Sequence, residues 1–144
     1  GVAGHAGLFS TASELARFAQ MMLNNGKYGK KIIFKEKTVR QFTQRAMVDT
    51  SSSRCLGWDS PSGNASGGVY QSENSYGHTG YTGTSLWIDP DHNLFVILLT
   101  NAVHPDRSYK DPTYFDWRQR IHSAVYESLG ITIQNPNLTW RTQW

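Results

Sequence analysis

Only one cysteine, Cys55, stands among the 144 residues, which excludes an internal disulfide framework and any multi-thiolate zinc spacing and leaves the redox compartment open. Apolar residues are 38% of the chain, yet no run approaches the roughly 18 unbroken apolar residues that cross a bilayer, so the chain reads as soluble. The opening Gly1-Val2-Ala3-Gly4-His5 has neither an initiator methionine nor a charged head followed by an apolar segment. No secretion signal is visible, and the sequence looks cut from something longer. Acidic side chains are scarce early, where Lys27, Lys30, Lys31, Lys35, Lys37, Arg40 and Arg45 concentrate the formal charge of +3. The aromatics among them, Tyr28, Phe34 and Phe42, fit core positions, so the cluster reads as a solvated helix face and excludes a nucleic-acid surface.

Whole motifs are missing too. There is no Gly-x-Ser-x-Gly elbow and no phosphate-binding Walker loop, and none of the serines is followed at the third position by lysine, so no complete nucleophilic machine is present. The five histidines, His5, His78, His92, His104 and His122, fall in no spacing that pairs two imidazoles on one helix face or strand, which argues against a metal centre. No cofactor motif is present either. Asp89-Pro90-Asp91-His92-Asn93 imitates the start of a calcium loop, but Leu94 and Thr100 occupy its glycine and glutamate positions, so it is a turn. His5, between glycines ahead of a helix, is read as a partner for backbone groups, and Trp58 and Trp87 as packing residues.

What is present divides into elements. Thr11-Ala12-Ser13-Glu14 fits a capping box, Leu15, Phe18, Ala19, Met22 and Leu23 recur at helical spacing, and Asn25-Gly26 supplies a left-handed stop. A second helix is expected from about Glu36 to Met47 with Val39, Phe42 and Ala46 inward. Cys55 to Asp59 reads as a short strand, and residues 60–75, rich in serine, glycine and asparagine, as an irregular surface loop. Thr84–Asp89 and Leu94–Thr100 flank a four-residue turn and predict an antiparallel hairpin. The unbroken Leu94-Phe95-Val96-Ile97-Leu98-Leu99 predicts a strand central to its sheet. Thr113–Leu129 predicts a closing helix with Ile121, Val125, Ser128 and Leu129 on its inner face, followed by an extended, partly loose tail. The fold class expected is α+β, an antiparallel sheet packed with helices.

The most pointed stretch is Tyr76-Gly-His-Thr-Gly-Tyr-Thr-Gly-Thr-Ser-Leu-Trp-Ile-Asp89. Gly77, Gly80 and Gly83 strip side-chain bulk at three-residue intervals, which lets a ligand or another backbone approach the main chain, while His78 and Thr79 project chemistry from a rigid edge strand.

Several segments together resemble the serine β-lactamase and penicillin-binding-protein superfamily, in particular the C-terminal portion of its class C-like esterase and peptidase branch. They are Gly4-His-Ala-Gly-Leu-Phe-Ser-Thr-Ala12 with Leu15-Ala-Arg-Phe18, then Leu56-Gly-Trp58, then His78-Thr79-Gly80 in the place of that family's usual Lys-Thr-Gly, then Asp89-Pro90 and Thr100-Asn101. The resemblance implies that residues 1–144 are the later part of one transpeptidase-like domain whose nucleophile segment lies upstream. It implies that an upstream serine attacks a carbonyl whose developing oxyanion is held partly by the main-chain amide of Tyr81, with His78 in the proton network and Thr79, Gly80 and Thr82 against substrate. A small-molecule or peptide substrate is implied, with the upstream segment of the same domain as partner and a periplasmic or extracellular location. Histidine in place of lysine weighs against β-lactam hydrolysis and leaves peptidase or esterase action open. Because a histidine titrates near neutrality, the rate of the whole enzyme is expected to vary between about pH 6 and 7. Alone, the chain is expected to be inactive and to self-associate through exposed sheet edge. The alternative is a non-catalytic binding or structural module that keeps the fold.

Overall fold

Helix α1 (Ala12–Leu23) begins where the capping box predicts: Glu14 N donates to Thr11 Oγ1 at 3.3 Å and Thr11 N to Glu14 Oε2 at 3.1 Å. It stops at Asn25 (φ 53°) and Gly26 (φ 87°), as a left-handed terminus requires. The structure is a computed structural model and describes residues 6–141 except 48, 50, 110 and 111, so His5 lies outside the described residues. Two short strands, β1 (Lys27–Tyr28) and β2 (Lys31–Ile32), form an antiparallel hairpin after α1. Helix α2 (Glu36–Thr43) follows. It is shorter than expected, because Gln44 already has extended backbone with ψ 148°. Val39 is its buried residue, whereas Phe42 is 46% exposed. Tyr28 and Phe34, also expected inside, are exposed as well.

The sheet that organises the molecule has the order β3-β4-β5, from β3 (Tyr76–Thr79), β4 (Ser85–Asp89) and β5 (Leu94–Leu98), all antiparallel. Opposed residues share a face. Tyr76, Ile88 and Phe95 pack with Ala19, Met21 and Met22 of α1 into the main apolar cluster, while Gly77, Trp87, Ser85 and Asp89 turn to the opposite face. There lie α3 (Pro112–Ser128), residues 66–71 and the C-terminal tail.

That second face is held largely by polar contacts, and five expectations change across the fold. The inner side of α3 carries Arg118, Gln119, His122, Ser123 and Tyr126, and Ile121 is 42% exposed; the helix docks on a hydrogen-bonding surface, so apolar periodicity points the wrong way. Residues 60–75 are irregular but run largely inside, with Ser66, Val69, Gln71 and Ser75 buried. The tail is docked: Asn135 N donates to Val69 O at 2.9 Å, Asn135 Nδ2 to Gln71 O at 2.9 Å, and Leu138 is buried. Strand β5 is an edge of the sheet rather than its centre, and each of its five residues is part-exposed. Cys55–Asp59 is a turn, closed by Cys55 N to Trp58 O at 2.8 Å, and only Asp59 bridges to β3.

Asp89 pins the far end of β4. Its fully buried carboxylate accepts from Ser72 Oγ (2.6 Å), Ser72 N (2.9 Å), His92 Nδ1 (2.8 Å) and Tyr126 Oη (2.9 Å). Burial pushes its pKa up, but these hydrogen bonds outweigh burial and hold the group below the ordinary carboxylate value.

Candidate active site

The outer edge of β3 is where main chain meets solvent. Gly77 exchanges both of its backbone hydrogen bonds with Asp59 (2.7 and 2.9 Å) on the side away from β4, whereas Gly80 N–H turns inward to Thr84 O at 2.8 Å. Main-chain groups of a strand alternate between its neighbours, so Thr79 addresses the same outer edge as Gly77. Beyond Asp59 no strand covers that edge among the described residues.

His78 is exposed on this edge, and its ring folds back so that Nδ1 lies 2.8 Å from Thr79 O. A carbonyl only accepts, so Nδ1 carries the hydrogen there, and in the neutral ring Nε2 is left as an acceptor. Arg54 Nη1 lies 3.4 Å from that Nε2 and 3.0 Å from Asp59 Oδ1. Arg54 thus bridges Asp59 and His78 along the strand edge, with its side chain 62% exposed. No motif in the sequence singles out Arg54. The sequence signal that places it is Gly57 (φ 82°), whose left-handed backbone folds Arg54 back against Asp59.

Residues Gly80–Gly83 make the turn into β4, closed by Gly83 N to Gly80 O at 3.0 Å. Tyr81 and Thr82 hold its two central positions and lie outside the β3–β4 ladder, which runs from the Tyr76–Ile88 pair to Thr79–Ser85. Gly83 follows at φ 98°, the arrangement of a turn with a glycine bulge. The turn is braced from behind. Thr82 O accepts from Ala102 N (2.8 Å) and Thr100 Oγ1 (3.2 Å), Tyr114 Oη lies 2.8 Å from Thr100 Oγ1, and the same hydroxyl donates to Gly83 O. Tyr81 is 61% exposed, with Arg107 Cζ 5.4 Å from its ring centroid. Thr100 is already part of the sequence resemblance; Tyr114 and Arg107 carry no motif that singles them out.

The three glycines meet the protein's own atoms. A Cβ on Gly77 would strike Trp87, and one on Gly83 would strike Tyr114 and Thr100. The spacing that suggests bare main chain for a ligand is thus accounted for by close internal packing, and what faces outward is Thr79, His78 and the turn.

Two other places are less suited to chemistry. A cavity of about 730 Å³ is lined by Met22, Val39, Arg45, Tyr76, Asp91 and Asn135 among others, at the opposite end of β3 from the turn. Cys55 is buried, donates to Thr43 O at 3.2 Å, and burial raises its thiol pKa, the reverse of what a thiolate nucleophile needs.

From the opposite face His122 supports the turn: fully buried on α3, it places Nε2 2.8 Å from Ser85 Oγ, next to the turn, while its Nδ1 has no hydrogen-bond partner among the described residues. Burial, with the positive charge of Arg118 adding, lowers its pKa from 6.5 to about 4.

The beta-lactamase family model matches residues 1–120. The chain is 40% identical over 141 residues to the "N-acetylmuramyl-L-alanine amidase" of Bacillus subtilis (strain 168), covering 90% of this chain and 32% of that protein. It is 46% identical over 108 residues to the "Putative D-alanyl-D-alanine carboxypeptidase" of Salmonella paratyphi B and of Salmonella newport, covering 72% of this chain and 24% of each. The chain therefore spans only a quarter to a third of the length of these curated relatives. With the family pattern running through the capping box, the His78-Thr79-Gly80 strand and the following hairpin, the chain belongs to the β-lactamase family.

Proposed function

We propose that this chain is the part of a serine hydrolase that supplies one wall of the cleft and an oxyanion-binding amide, and that the nucleophilic serine comes from an upstream segment of the same domain. The observation that carries this reading is the braced turn at the open end of β3: Tyr81 sits outside the ladder, in a loop whose carbonyls are tied back to Ala102, Thr100 and Tyr114. A donor fixed in this way needs no reorganisation when negative charge develops on a carbonyl, and one such donor supplies about 3 kcal/mol of barrier lowering.

In the reaction, the upstream serine attacks the substrate carbonyl, the oxyanion forms against Tyr81 N–H, and collapse expels the leaving group to give an acyl-serine that water then cleaves. Thr79 and Thr82 offer polar contacts to the acyl chain, Gly80 packs closely on Thr84 where the turn begins, and His78 Nε2 relays a proton or grips substrate beside Arg54. Arg54 and Arg107 place two cations along this edge. They suit a substrate bearing a free carboxylate, as a peptide ending in a D-amino acid does, over a neutral ester. The relatives named as D-alanyl-D-alanine carboxypeptidases support the same choice. A substrate of the bacterial cell wall would be met in the periplasm or outside the cell, which supports that location; among the described residues no helix is long and apolar enough to cross a membrane.

The test is covalent labelling. A longer protein carrying the upstream serine is expected to be acylated by a fluorescent penicillin or a phosphonate, with the label lost when that serine is replaced, while the 144-residue chain stays unlabelled. A correctly folded longer protein that neither acylates nor hydrolyses D-alanyl peptides or esters would leave a binding module as the better reading.

A further inference from the structure

Half of the chain's 14 lysines and arginines lie between residues 27 and 45, where Glu36 is the only acidic residue. Glu36 is already taken by Arg40, 2.7 Å away, and none of Lys27, Lys30, Lys31, Lys35 and Lys37 makes an ion pair among the described residues. Their side chains share the β1–β2 hairpin and its exit with apolar groups that point outward: Tyr28 is 46% exposed, Ile32 69%, Ile33 51% and Phe34 44%. The register pairs Lys27 with Ile32 and Tyr28 with Lys31, so each side of the hairpin presents one cation beside one apolar side chain. Single exposed apolar residues are ordinary, but four within seven positions form a patch that calls for a partner.

We propose that this hairpin is a docking surface for an anionic lipid bilayer, with the lysines at the headgroups and Ile32, Ile33, Phe34 and Tyr28 entering the interface. A phosphate-bearing polymer would also attract the lysines, but it offers nothing to four apolar side chains, whereas a membrane interface rewards both at once. The placement suits this orientation. Met22, Leu23 and Asn25, at the end of α1, line one cavity with Pro90 and Asp91 of the β4–β5 turn. The hairpin that follows α1 therefore sits at that end of the sheet, and the Gly80–Gly83 turn lies at the other end of β4. A molecule docked by the hairpin holds that turn away from the bilayer. This surface is independent of the serine hydrolase reading, and its test reads no activity.

The experiment is flotation of the 144-residue chain with vesicles of phosphatidylcholine alone or with roughly 30 mol % phosphatidylglycerol, a level that gives the surface a negative potential. The chain is expected to float with the anionic vesicles and to stay behind with the neutral ones. Lys30→Gln with Lys31→Gln should weaken binding about thirtyfold, and Ile32→Ser with Ile33→Ser should weaken it comparably at unchanged charge. All four positions are exposed, and circular dichroism verifies that the variants keep the fold. Failure to bind anionic vesicles would overturn the proposal. So would binding that ignores the isoleucine changes and is matched by a soluble polyglycerol phosphate, since that result assigns the lysines to an anionic polymer. Binding that survives all four substitutions would place the contact elsewhere and overturn it as well.

Discussion

Lowering the pH from 7 to 4 loads a proton onto a residue that the folded chain is built to keep neutral. His122 is fully buried against Ser85, with Nδ1 unpartnered among the described residues and Arg118 adding repulsion, and its pKa falls from 6.5 to about 4. Between those values the unfolded chain binds more protons than the folded one, so stability falls as the pH falls. The integrated loss is about 1 kcal/mol by pH 5.5 and about 3 kcal/mol by pH 4, a large share of the 5 to 15 kcal/mol typical of a folded domain. Urea unfolding followed by tryptophan fluorescence at pH 7, 5.5 and 4.5 measures it directly. His122→Gln keeps a polar group for Ser85 but cannot titrate; it is expected to be less stable at pH 7 and to show a flatter pH dependence. A wild-type midpoint that holds steady down to pH 4.5, or a variant that declines as steeply as the wild type, would contradict the burial of a neutral His122 as the cause.

Asp89 acts in a lower window, because its depressed pKa means that its stabilisation is complete above the unfolded value of 3.8 and disappears as the pH falls through the lower folded value. Asp89→Asn leaves the donors of Ser72, His92 and Tyr126 facing an amide, and should cost about 3 kcal/mol in urea unfolding at pH 7; a loss below about 0.5 kcal/mol would show that the network is dispensable. Tyr114→Phe removes the hydroxyl behind Gly83 and Thr100. It should slow acylation of the longer protein about tenfold with little change in stability, and an unchanged rate would remove the brace from the mechanism. The outer edge of β5, apolar and unpaired among the described residues, should make the isolated chain associate with itself. Light scattering is expected to show mass rising with concentration and falling in Val96→Lys, while a strict monomer at high concentration would contradict this.

The parts of the fold that sequence makes legible are those decided by a few neighbouring residues. The Thr11–Glu14 capping box, the Asn25-Gly26 stop and the Pro90–Asn93 turn each satisfy local backbone requirements, and each appears where expected. Burial of α3 depends on partners far away in sequence. His122 meets Ser85, Ser123 meets Val69 and Tyr126 meets Asp89, so a polar stripe goes inward and the apolar Ile121 stays out. The serine-rich stretch 60–75 fails for the same reason, since its small polar residues are interior donors and acceptors. For β5 the apolar run is real, but no described strand covers its outer edge. At the site, His78-Thr79-Gly80 and the turn carry a recognisable order, whereas Arg54, Arg107 and Tyr114 reach it only through tertiary folding.

Proline at position 81 offers the sharpest measurement. Tyr81 occupies the first central position of the Gly80–Gly83 turn, where proline is well accommodated, so Tyr81→Pro deletes the N–H while Tyr81→Ala keeps it and removes the same ring. In the longer protein with its upstream serine, the acylation rate of the proline variant should be about a hundredfold or more below that of the alanine variant. Equal rates in two equally stable variants would show that the amide at Tyr81 does not hold the oxyanion.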